Sequence, residues 1–216
     1  MTEKKKPTLE QIQEYRKQCK TAVTERDFDA IEAFAQEYDV FTSVYEEGGK
    51  MGVKDAAGEI LVPAIFDDIA YTYSDSLRGF IVPVVKDGKM ALVKPDGKGT
   101  MVSDFIYDSV QFHDGFFFLK KEGKLGLATS AGHVVVPAEQ DEVFVPLNDL
   151  VVFTKDGMNG FAMLGTDLIT EAEYEDFELT ETDCLKVIKD GVEGYVDCEG
   201  RFTEDEDERY FTAAFD

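Results

Sequence analysis

Two histidines are available for acid–base chemistry, His113 and His133, and each lies beside a turn glycine. His113 precedes Asp114-Gly115, and His133 follows Gly132. Isolated turn histidines more often decorate a surface than catalyse. The three cysteines, Cys19, Cys184 and Cys198, are widely spaced and form no C-x-x-C pair, so they read as reduced structural thiols. The chain has no G-x-S-x-G elbow, no H-E-x-x-H and no glycine-rich phosphate loop. Carboxylates offer more. Asp67, Asp108, Asp141 and Glu175 recur in like surroundings. A pair of such groups would suit glycoside hydrolysis. The plainer reading makes them caps on a strand-to-loop bend. The run Glu204-Asp205-Glu206-Asp207-Glu208 lacks the glycine and ligand spacing of a calcium loop and reads as a solvated acidic segment. Tyr71, Tyr73, Phe112, Phe116, Phe117, Phe144, Phe177 and Tyr210 cluster around the third strand of each unit and the turn after it, most of them as core. The expected binding surface is Asp67, Asp108, Asp141 and Glu175 with Tyr71, Phe112 and Phe144. No catalytic residue, cofactor site or metal ligand is assigned.

Charge narrows the choice of partner. The 216 residues carry 22 basic and 45 acidic side chains, net −23. Residues 1–38 hold 7 basic and 8 acidic groups, whereas residues 171–216 hold 4 and 17. Such a field repels nucleic acid and anionic lipid. It suits a basic protein, or it serves solubility alone. No apolar run is long enough to span a membrane, and the basic N-terminus has no apolar segment behind it, so the expected location is cytoplasmic.

The positions above need elements to hold them. Thr8 and Gln11 form a capping-box pattern after Pro7. Leu9, Ile12, Tyr15, Cys19, Ala22 and Val23 follow at helical spacing. A second helix is expected from Asp27, through Phe28, Ile31, Phe34, Ala35 and Tyr38. Residues 1–39 thus read as a segment of two short helices and residues 40–216 as a β-repeat domain.

The repeat is written in glycine. Gly49, Gly88, Gly123, Gly157 and Gly191 are 39, 35, 34 and 34 residues apart, and units begin near each. Three positions on stand Gly52, Ala91, Gly126, Gly160 and Gly194. Eight or nine positions on stand Gly58, Gly97, Gly132, Gly165 and Gly200. Gly48, Asp87, Glu122, Asp156 and Asp190 precede the anchors, which predicts a type I′ hairpin at each. The glycine inside the outgoing strand implies close approach of a neighbouring backbone or ring. A further strand ends in Val62-Pro63 or Val136-Pro137, where the proline should terminate it or keep it at an edge. Then comes the signature Phe66-Asp67, Tyr107-Asp108, Gln140-Asp141 or Tyr174-Glu175. The fold expected is mainly β with a helical N-terminus, in five tandem antiparallel β-meander repeats of about 34 residues.

The motif Gly-Lys-x-Gly, as in Gly49-Lys50-Met51-Gly52 and Gly123-Lys124-Leu125-Gly126, resembles the WG-repeat (KWG-repeat) family of bacterial proteins. Later units are looser, as Gly157-Met158-Asn159-Gly160 and Gly191-Val192-Glu193-Gly194 show. The chain has no Trp, and the family's ring position is held by Met51, Met90, Leu125, Asn159 and Glu193. The resemblance implies an architecture and no activity.

Val40–Tyr45 reads as an entering strand without a preceding unit, and the last unit lacks one. Lending the first strand to the last unit would give a closed, propeller-like ring; otherwise the repeats form an open superhelical array. For function, the leading expectation is a non-enzymatic protein-binding module with an acidic surface. The alternatives are an immunity or inhibitor protein that masks a basic toxin or nuclease, and a carbohydrate-binding or carbohydrate-active protein.

Overall fold

The computed structural model describes residues 4–25, 33–35, 37–38, 40–70, 81–113, 115–145, 150–166, 168–180, 185–197 and 199–205. Most of the expected second helix, Tyr71, Tyr73, Cys184, Cys198 and Tyr210 lie outside these residues. The chain divides into two compact units, residues 1–115 with 130–132, and residues 116–129 with 133–216.

In the first unit α1 spans Leu9–Glu25. Its start is the capping box read from the sequence: the Thr8 N–H donates to Gln11 Oε1 (2.9 Å) and the Gln11 N–H to Thr8 Oγ1 (3.3 Å). Ile12 and Tyr15 are buried with Val40, and the Tyr15 and Phe34 rings stack at 5.0 Å. Leu9, expected on that face, is exposed instead, because it sits in the first turn ahead of the packed residues.

The sheets are antiparallel and built by chain neighbours. β1 (Ser43–Glu47), β2 (Lys50–Lys54) and β3 (Ile60–Phe66) pair in that order. β4 (Asp68–Ile69), β5 (Val82–Lys86) and β6 (Lys89–Val93) form the next sheet, and β7 (Ser109–His113) follows. In the second unit β8 (Phe116–Lys121), β9 (Lys124–Thr129) and β10 (Val134–Gln140) pair consecutively. β11 (Glu142–Phe144), β12 (Leu150–Lys155) and β13 (Met158–Met163) form another sheet. The last contains β14 (Asp176–Leu179), β15 (Leu185–Lys189), β16 (Val192–Val196) and β17 (Phe202–Thr203).

The central hairpin of each repeat has the turn predicted from its sequence. Asp87, Glu122, Asp156 and Asp190 have φ of 50–53°, and the glycines after them are positive too. Both central residues in the left-handed region define a type I′ turn, whose twist matches that of the strands.

The interior glycines are required by contact. A Cβ on Gly52 would stand 2.6 Å from the Val62 carbonyl oxygen, and one on Gly126 would stand 2.6 Å from the Ala138 nitrogen. At Gly160 the obstacle is the Phe153 ring, at 2.4 Å. The prolines do not end their strands. β3 and β10 run through Pro63 and Pro137 at register shifts, where a bulge removes the need for an amide donor. The edge position was rightly anticipated; the termination was not.

Each unit has its own apolar core. Val53, Leu61, Val62, Phe66, Val82, Val84 and Val93 cluster in the first. In the second, Leu127, Val136, Val151 and Phe153 form one cluster and Leu150, Phe161, Tyr174 and Val187 another.

The repeat junction and a candidate binding surface

The recurring carboxylates sit where the chain leaves one sheet for the next. Phe66 pairs with Met51, Tyr107 with Met90, Gln140 with Leu125 and Tyr174 with Asn159. Each of these first partners is buried. The next residue points the other way, as strand alternation demands. Its backbone already belongs to the following sheet: the Asp67 N–H donates to the Val85 carbonyl, Asp141 to Thr154 and Glu175 to Ile188.

The carboxylates themselves bridge repeats. Lys50 Nζ donates to Asp67 Oδ1 at 2.5 Å, while Asp67 Oδ2 accepts the Asp87 N–H at 2.7 Å. Lys124, Asp141 and the Asp156 N–H repeat this at 2.5 and 2.8 Å. Lys89 pairs with Asp108 at 2.6 Å. Asp67 and Asp141 therefore each tie the lysine of one hairpin to the turn of the next. The adjacent lysine ammonium, then the turn amide, hold the Asp67 and Asp141 carboxyls below the usual carboxylate range. Lys50 and Lys124 are raised in return, first by their hydrogen bonds to the acids. The groups are half exposed, so the ion pairs add little stability; the amide contact sets position.

The fourth junction differs. Met158 stands in the lysine's place, and Asn159 Nδ2 donates instead to the Tyr174 and Glu175 carbonyls. Glu175 Oε1 still accepts the Gly191 N–H, at 3.1 Å. The role of the lysine that follows the first three anchor glycines, Lys50, Lys89 and Lys124, was missed in the sequence reading, although the repeating Gly-Lys dipeptide was its signal.

Among the other expected surface residues, Phe112 lies half-buried in β7 and Phe144 is exposed in β11, its ring 6.4 Å from that of Phe177. Tyr71 is outside the described residues. Within the units the structure brings Asp67, Asp108 and Asp141 together with Lys50, Lys89 and Lys124. His113 and His133 are exposed. Of the acidic run only Glu204 and Asp205 are described, and both are exposed. Among the described residues no three His, Cys, Asp or Glu side chains are placed to hold a metal ion. No helix among them is long and apolar enough to cross a membrane.

The junction has a sequence-level counterpart. Residues 51–89 and 96–124 match the family model of the WG containing repeat. These two segments are similar to WG repeats. The first runs from Met51 to Lys89, so it includes Asp67 and the Asp87 turn amide that Asp67 accepts, and it begins one residue after Lys50. No curated protein matches the chain by sequence. Among solved structures, Hsv2p of Kluyveromyces lactis is similar at 11% identity and a TM-score of 0.33, covering 71% of this chain and 57% of its own. A eukaryotic initiation factor is similar at 12% identity and 0.33, covering 68% and 44%. PorZ of Porphyromonas gingivalis is similar at 11% identity and 0.28, covering 75% and 25%. The chain thus spans between a quarter and somewhat over half of the length of these structures.

The last sheet and the residues leading into it carry an acidic excess. In the last sheet, Lys186 pairs with Glu193, Lys189 with Glu173, and Arg201 with Asp197 and Glu199. Every described cation from residue 171 onward is engaged by these pairs. Glu178, Asp190 and Glu204 remain exposed beyond them. Asp197, though buried, stays ionised: burial pushes its carboxyl up, but the Arg201 and Glu199 amides and the Arg201 guanidinium outweigh this and hold it low.

Proposed function

We propose that this chain is a non-enzymatic protein-binding repeat module that meets a basic partner through acidic surface. The observation that carries the reading is the last sheet, whose described cations are already engaged while Glu178, Asp190 and Glu204 stay exposed. Unbalanced charge of one sign speeds encounter with a partner of the other sign and penalises like-charged ones. The recurring acids support the same division of labour. Asp67 and Asp141 bridge hairpins, so their repetition has a framework cause and leaves the unbridged acids for contact.

The test is retention of lysate proteins on the immobilised chain at low and high ionic strength. It is run beside a variant carrying Glu178→Lys, Asp190→Lys and Glu204→Lys. A partner held by the native chain, released by salt and lost in the variant is the expected result. Equal retention by both chains would remove the acidic surface from the account.

A further inference from the structure

Among the described residues β1 is an edge strand whose outer backbone has no partner. Its two-residue turn closes on Glu47 and Lys50, and the register continues through Tyr45 with Gly52. That alternation turns the N–H and C=O of Val44 and Glu46 outward. Equivalent groups elsewhere are used. The Val85 carbonyl accepts from Asp67, Thr154 from Asp141 and Ile188 from Glu175. In β5, β12 and β15 a short strand therefore lies on this edge, with Ile69 opposite Val84, Val143 opposite Phe153 and Phe177 opposite Val187. Among the described residues nothing lies there on β1.

Side-chain burial records the same gap. The residue opposite the interior glycine or alanine is buried in four hairpins, as Val84, Leu119, Phe153 and Val187. In β1 it is Tyr45, and Tyr45 is only half-buried. Val44 is 40% exposed, whereas its counterparts Pro83 and Val152 are buried.

Charge identifies the occupant. The equivalent strands β5, β8, β12 and β15 end in lysine, as Lys86, Lys121, Lys155 and Lys189, and of these Lys155 pairs with Glu139 and Lys189 with Glu173 in the acidic connectors. β1 ends in Glu46-Glu47, both exposed. The sign at this position is inverted. It repels the molecule's own Asp-rich connector type, including one from a second copy, and it attracts lysine or arginine.

The geometry points to the outer edge of β1 as a strand-addition site for an extended basic segment of a partner protein. Its main chain bonds to Val44 and Glu46, a Lys or Arg faces Glu46-Glu47, and an apolar residue two or three positions on covers Tyr45. This deepens the proposed function, because it gives the basic partner an extended conformation and a place.

The probe is a blocked peptide of residues 64–70 carrying Asp67→Lys and Asp68→Lys, so that the connector keeps its apolar residues with the charge reversed. The controls are the unchanged 64–70 peptide and a shuffled basic peptide of the same composition. The lysine peptide should bind the full chain saturably and slow amide exchange at Val44 and Glu46. Both controls should bind at least about tenfold more weakly. In a chain carrying Glu46→Lys and Glu47→Lys the preference should reverse toward the aspartate peptide, a readout that a merely destabilised fold would not give. Equal binding of the shuffled peptide would overturn the site, as would no protection of β1 or a dimer of the free chain through this edge. If a salt-sensitive lysate partner is retained equally by a Glu46→Pro chain, the strand-addition site falls and the acidic-surface reading stands.

Discussion

Tyr174 carries a hydroxyl that its surroundings do not satisfy. The side chain is fully buried against Phe161, their ring centroids 5.4 Å apart, and its oxygen has no hydrogen-bond partner among the described residues. Burial, reinforced by Glu173 and Asp197, pushes the phenol up to about 12. An unpaired buried polar group costs about 1–3 kcal/mol. Tyr174→Phe should therefore leave the urea midpoint unchanged or raise it, by up to about 1 kcal/mol once the lost atom's packing is subtracted. The neutral phenol is favoured by the fold, so its contribution is intact below pH 10 and disappears as pH rises toward 12. The native chain should lose stability in that interval relative to Tyr174→Phe, as urea titrations at stepped pH would show. Glycine provides a second test at one residue. Gly126→Ala drives a methyl against the Ala138 backbone and should cost about 1–3 kcal/mol. Ala91 occupies the same repeat position fully buried, so Ala91→Gly should also destabilise, by about 0.5–1 kcal/mol. The sign depends on what an added methyl meets: the Ala138 backbone at Gly126 and the Phe153 ring at Gly160, whereas the Ala91 methyl is already packed in the core.

At the scale of the element, the junction separates position from strength. Lys124→Met copies Met158 of the following repeat, and the exposed ion pair it removes is screened by solvent. Asp141→Ala removes the ion pair and also leaves the Asp156 amide without its acceptor. Asp141→Ala should lower the thermal midpoint more than Lys124→Met. In the double variant the lysine change should add almost nothing, a non-additivity that a four-member melting series would reveal. Much of this element was legible in the sequence. Gly88, Gly123, Gly157 and Gly191 each stand in the type I′ turn expected of an acid-glycine pair, because positive φ at both positions leaves few other residues. Gly52 and Gly126 were correctly read as sites of close approach. Continuation through Pro63 was not legible, because a bulge depends on how the partner strand is registered. The lysine–carboxylate bridge was only half legible. Both residues repeat, but their meeting requires the chain to cross between sheets, 17 residues apart in the chain for Lys50 and Asp67.

For the whole molecule, charge sets how stability answers to pH and salt. A net charge of −23 opposes compaction, and protonating carboxylates or adding salt relieves it. Against this stand the bridges of Asp67 and Asp141, which weaken when their acids protonate. Both groups are held below the ordinary value of 3.8, so their contribution is complete above that pH and is lost as pH falls through their lower folded values. Asp96, whose Oδ1 accepts the Lys98, Gly99 and Thr100 amides, stays ionised to about 2, chiefly through its Thr100 hydroxyl and Lys98 amide contacts. The two responses therefore occupy different windows. Unshifted carboxylates begin to take up protons as pH approaches about 5, before the bridges do. The thermal midpoint should rise from pH 7 to about 5, and fall once pH drops below about 4. Salt at pH 7 should raise it as well, because screening over a Debye length of about 10 Å at 0.1 M reaches the repulsion among scattered acids, while the exposed pairs contribute little that salt can remove. Scanning calorimetry across both axes decides between the two forces. A midpoint that falls monotonically from pH 7, or that falls with added salt, would mean the ion pairs outweigh the repulsion and that the acidic excess carries no energetic cost for this fold.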